Sequence, residues 1–121
     1  LKGERKLYKI YNGDYEELAS DLNREFFNIY EDEEICSIEE DETQKYDLIF
    51  KMSDGADFYG IVEERNPIRL YIIFEENNFY DKFDGPGRHI EYAVFDITYK
   101  PTLRSFSTAC LLKDQKLDFE K

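Results

Sequence analysis

Tryptophan is absent from this chain, methionine and histidine occur once each, and proline occurs only three times. Two cysteines, Cys36 and Cys110, form no CxxC pair and have no histidine nearby, which excludes the common zinc spacings. No phosphate-cradling glycine loop, no GxSxG elbow and no HExxH helix occurs. The longest apolar runs are a few residues, as in Tyr71 to Phe74. A membrane-spanning helix needs about 20, so the chain is read as soluble, with no membrane partner. Positive charge is the scarcer sign, 16 Lys and Arg against 28 Asp and Glu.

What is present is aromatic and acidic. Ten Tyr and ten Phe in 121 residues supply apolar surface that disordered acidic tails lack. A single folded domain over 1–121 is expected. The chain starts at Leu1 rather than Met, which fits a processed product or a piece of a longer protein. A cytoplasmic location is favoured. The two thiols are expected to be buried, with a single disulfide in an exported protein as the other reading.

Residues 3–12 fit a short helix, with Leu7, Ile10 and Tyr11 on one side, or a short strand. Asp14 and Glu17 have capping-box spacing and predict a helix over about 15–30. At 100° per residue, Tyr15, Leu18, Ala19, Leu22, Phe26, Ile29 and Tyr30 share one stripe, as a core-facing helix requires. Beyond it the period changes from 3.6 to 2. Strands are expected over 46–52, 58–64, 68–75, 89–100 and 102–112, with a short edge strand at Ile35 to Ile38. Residues 76–87 read as the longest loop. In 89–100 the apolar face changes sides after Val94, which predicts a β-bulge.

The fold class is therefore α+β: an N-terminal amphipathic helix, preceded on one reading by a short helix, packed on a curved antiparallel sheet of about five strands. In order of elements alone, this layout resembles cystatin-like and related cone-shaped folds.

The acidity is segregated. Residues 14–60 hold 16 of the 28 acids against Arg24, Lys45 and Lys51, a local balance of −13. Eight of the twelve residues from Glu31 to Glu42 are acidic: Glu31, Asp32, Glu33, Glu34, Glu39, Glu40, Asp41 and Glu42. Such a segment repels nucleic acid and anionic membrane and attracts a basic partner. Its carboxylates can also stand in for phosphates in a groove built for nucleic acid. The plain alternative is a solvated connector. EF-hand spacing is absent, and Asp54 to Asp57 and Asp81 to Gly85 read as ordinary turns, so no metal is expected.

His89, beside Glu91, reads as a residue at the start of a strand with no chemical role. Tyr59, Tyr71, Phe79, Tyr80, Phe83, Tyr92 and Tyr99 read as exposed aromatics, of which Phe79, Tyr80 and Phe83 sit on the long loop, where recognition residues are well placed. The expectation is a small acidic inhibitor, not an enzyme and without cofactor, that neutralises a basic protein: an immunity protein to a toxin nuclease, or a nucleic-acid mimic. Its contact residues would be the eight acids with Phe79, Tyr80 and Phe83. The other reading is a small-molecule-binding or accessory domain with an aromatic-lined pocket between helix and sheet.

Overall fold

The computed structural model describes Tyr11 and residues 14–64 and 67–112. Most of the segment 3–12 lies outside the described residues, so the first helix described, α1, is not N-terminal. It starts at Tyr15, where Asp14 Oδ1 accepts the Glu17 N–H at 2.9 Å, half of the expected capping box. It runs as α-helix over Tyr15–Leu22, as a π-helical turn over Asn23–Phe27, and as a last α-helical turn over Asn28–Tyr30.

Six antiparallel strands follow as an open meander in the order β1 to β6: Ile35–Glu40, Leu48–Met52, Asp57–Glu63, Arg69–Asp81, Gly85–Asp96 and Thr102–Leu112. The sixth strand, besides the main five, is β1, the short edge strand expected at Ile35 to Ile38, whose Ile35 and Ile38 are both buried. Helix α1 covers one face of the sheet. Leu18, Leu22, Phe26 and Phe27 meet Leu48, Phe50, Val62, Leu70, Ile72, Ala93 and Phe95 in one core. Phe26 is its aromatic centre, with Phe27 edge-on at 4.9 Å and Phe95 edge-on at 5.4 Å between ring centroids. A second cluster of Tyr46, Ile73, Ile90 and Leu111 lies on the opposite face.

The π-helical turn explains where the helical stripe fails. It inserts about one residue, so the side chains after it lag by about 100° relative to a regular helix. Phe27 rotates into the core, and Ile29 and Tyr30, expected there, rotate out to 63% exposure each. Asn23 opens that turn and holds the edge of the sheet. Its Nδ2 donates to Ile35 O at 3.0 Å, and its Oδ1 accepts the Ile35 N–H at 2.7 Å.

Residues 76–87 are not a loop. They form a long hairpin arm in which Asn77 faces His89 and Asn78 faces Arg88 across the β4–β5 ladder. The polarity there reflects an arm that extends past the partner residues of β3. Phe79 packs on Gly87, where a Cβ would lie 2.6 Å from the ring. The expected bulge falls at the expected step, after Val94, but its extra residue is on the partner strand: Val94 pairs with Ser105 and Phe95 with Leu103, which leaves Arg104 of β6 unmatched. Strand β5 alternates regularly, and its apolar side changes because its first half serves the second cluster and its second half the helix-facing core.

Both cysteines are free and exposed, contrary to expectation. Cys36 is the extra residue of a bulge between Ile35 and Ser37, and Cys110 lies on the outer strand β6. Tyr71 is 1% exposed rather than a surface aromatic. Among the described residues no helix is long and apolar enough to cross a membrane.

Two substitutions test this packing. At Gly60 a Cβ would lie 2.5 Å from Phe50 Cε2, so Gly60→Ala is expected to lower stability by about 1–3 kcal/mol, read from urea midpoints. Asn23→Ala strands the Ile35 donor and acceptor together and is expected to cost about 1–3 kcal/mol. Asn28→Ala, on the exposed side of the helix, should change the midpoint little.

Candidate protein-docking surface

The rotation of Tyr30 out of the core builds an aromatic patch at the end of α1. Buried Phe26 supports it, with Tyr30 at 5.5 Å on one side and Phe106 at 5.4 Å on the other. Phe106 stands opposite Ala93, whose small side chain lets the ring lean over Phe26 and towards Phe74 at 6.3 Å. It stays 56% exposed. A surface hollow of about 390 Å³ opens beside it, lined by Phe74, Glu91, Phe106 and Thr108.

The acidic connector leaves this patch directly at Glu31. Glu31, Asp32 and Glu34 are exposed and Glu33 is half-buried. Among the described residues no Lys or Arg forms an ion pair with any of the four. Arg24 pairs with Asp21 at 2.8 Å and with Glu25, and Lys100 also reaches Glu25 at 3.3 Å. Partial burial, then repulsion from Glu33 and Asp32, raises the Glu31 carboxyl above its usual range.

The remaining predicted acids divide. Glu39 and Glu42 are exposed, and Glu40 accepts the Tyr15 hydroxyl at 2.8 Å. Asp41 belongs to the structure instead. It is buried, and its carboxylate organises the β1–β2 loop by accepting the Thr43 N–H at 2.9 Å, the Thr43 hydroxyl at 2.7 Å and the Tyr46 N–H at 2.9 Å. Burial alone would raise its pKa; these bonds and Lys45 hold it below the ordinary value.

At the arm's tip Tyr80 and Phe83 are exposed and Phe79 is half-buried. The tip turns on Asp81, whose Oδ1 accepts the N–H groups of Phe83 and Asp84. Strands β2 and β3 separate the arm from β1, so tip and acidic connector are not neighbours. Among the predicted aromatics, Tyr59 and Tyr92 are half-buried and Tyr99 is exposed. Sequence reasoning missed Ile29, Tyr30 and Phe106, because uniform helical spacing assigns the first two to the core. The one available signal was Asn23, a polar residue beside the buried stripe.

The space between helix and sheet is occupied by Phe26, Phe27, Phe50 and Phe95, all fully buried, so the aromatic-lined pocket expected there is filled by core. A hollow of about 450 Å³ on the other face contains a self-satisfied network. The Tyr46 hydroxyl donates to Glu76, which also pairs with Arg88 at 3.3 Å and Lys45 at 3.7 Å. Glu76 is held below its ordinary pKa: burial opposes this, but Tyr46, Lys45 and Arg88 outweigh it.

His89 stands between Asn77 and Cys110 in register, with Glu75 nearby. Among the described residues no group of three or more His, Cys, Asp or Glu is placed to hold a metal. Asp54 Oδ1 accepts the Ala56 N–H at 2.9 Å, an ordinary turn bond.

The raised Glu31 pKa gives a signed prediction. A carboxyl protonated more readily in the folded state favours folding below its unfolded pKa, and that contribution is lost as pH rises through the folded value. Glu31→Gln is therefore expected to raise the urea midpoint at pH 7 and to leave it unchanged at about pH 3. Compared with known proteins, the chain matches no family model, no curated protein and no solved structure.

Proposed function

We propose that this chain is a stoichiometric inhibitor of a basic protein, acting by occlusion rather than by catalysis. The observation that carries the reading is the continuity of the exposed Ile29 and the exposed aromatics Tyr30 and Phe106 with the acids Glu31 to Glu34, which lack ion-pair partners among the described residues. The two parts do different work. The −13 balance of residues 14–60 steers a basic partner into encounter, and desolvated aromatic anchors slow its release. A partner that normally grips phosphates is the natural target, such as a toxin nuclease or another nucleic-acid-binding protein, since clustered carboxylates compete for the same Lys and Arg.

The test is capture from a lysate of the source organism and its neighbours under washes of rising salt, followed by kinetics on the retained protein. The quadruple change Glu31→Lys, Asp32→Lys, Glu33→Lys and Glu34→Lys is expected to cut the association rate about tenfold at low salt. Tyr30→Ala with Phe106→Ala should mainly accelerate dissociation, by about tenfold or more. Retention of no basic protein, or association unchanged by the charge reversal, would overturn the reading.

A further inference from the structure

We infer that the outer edge of β1 receives an extended, basic segment of the partner as an added strand, which rests on the reading of the chain as a binder of a basic protein. The main-chain geometry fixes which groups face outward. The Met52 N–H donates to Ala56 O, towards β3, whereas the Ser53 N–H donates to Glu34 O, towards β1. Odd-numbered positions of β2 therefore face β1. Their partners Ser37 and Glu39, opposite Lys51 and Ile49, direct their N–H and C=O groups inward. The alternate residues Ile38 and Glu40 direct theirs outward, and among the described residues no strand pairs with that edge.

Among the described residues the outward main chain of this edge is capped at one end. At Ile35 the outward N–H and C=O are taken by the Asn23 side-chain amide, which does there what a neighbouring strand would do. Beyond that clamp a groove of about 620 Å³ runs between α1 and β1, with Glu16 and Ser20 on the helical wall and Cys36, Ser37 and Ile38 on the strand wall.

Charge selects the occupant. Glu16 and Glu34 line the groove, with Glu39 exposed farther along the same strand, and the one cation lining it among the described residues, Arg24, is already paired with Asp21 and Glu25. Acids along an edge strand oppose pairing with a second copy of the same strand, and they favour a segment bearing Lys or Arg at alternate positions. In strand addition the main chain supplies affinity and alternate side chains supply selectivity.

The probe is the peptide acetyl-Lys-Val-Lys-Thr-Lys-Val-Lys-amide, set against the same peptide N-methylated at alternate residues, which keeps its charge and loses its donors. By amide NMR the unmethylated peptide is expected to slow exchange at Ile38 and Glu40. The methylated one should bind about tenfold or more weakly. Glu40→Pro removes an outward N–H without touching the inward ladder. It should weaken binding of the unmethylated peptide about tenfold relative to Glu40→Ala; the methylation comparison on the unaltered chain stands even if that variant does not fold.

Equal binding of the two peptides, with both lost on charge reversal of Glu31 to Glu34, would overturn strand addition and leave the acidic docking reading standing. The strand inference is equally overturned by no peptide binding at about 1 mM, or by a peptide-free dimer that protects Ile38 and Glu40.

Discussion

The fold turns on one side chain. The Asn23 amide bonds both the N–H and the C=O of Ile35, tying the middle of the helix to the first residue of the sheet's edge. Local helix bonding is rearranged at the same point: the Asn28 N–H reaches Asn23 O, five residues back. The rearrangement brings Phe27 into the core and turns Ile29 and Tyr30 to solvent. A regular helix would bury Tyr30 and leave the acidic connector to depart from an ordinary wet face. The contact that caps one end of the sheet edge thus sits at the turn that exposes the patch.

The acids are not one population. Asp14, Asp41 and Asp81 are committed to main-chain donors at a helix start and two turns. Glu76 and Asp96 each meet two cations. These carboxylates stabilise the fold, and reversing Asp41 would dismantle the β1–β2 loop whatever it did to a partner. Glu31 to Glu34 lack that compensation. Partial burial, and then crowding with Glu33 and Asp32, raises the Glu31 pKa.

How much was legible in the sequence follows from the range of each signal. The helix start was readable because a capping residue acts three positions away. The strands were readable because alternation is local, and β4 showed both its faces through Leu70 and Ile72 on one side and Tyr71 and Ile73 on the other. The π-helical turn was not readable, since it coincides with bonds from Asn23 to a residue twelve positions away, beyond any local periodicity. Asp41 was hidden within a run of acids that look alike in one dimension. The arm over 76–87 resembled a loop because its stability comes from cross-strand pairing and from Phe79 on Gly87, while its Asn, Asp and Gly content carries the usual turn signature.

The arm also sets its own exposed aromatics, Tyr80 and Phe83, apart from the patch beside the acidic connector. Near the helix, β4 and β5 are covered on both faces, by α1 on one and by the second cluster on the other. Past Glu75, at the irregularity between Ile73 and Glu75, the face that continues from the helix side carries Asn77, His89 and Glu91. Few apolar side chains remain there to offset chain entropy, so the Tyr46, Glu76 and Arg88 network at the base of the arm takes up that role. Opening is therefore least costly at the tip, where Tyr80 and Phe83 are exposed. A partner seated on the rigid patch of Tyr30 and Phe106 meets a surface already shaped for it, whereas contacts at the tip would carry an ordering cost. Under the proposed docking, that difference would put the tight part of recognition at the helix end, beside the acids of the connector.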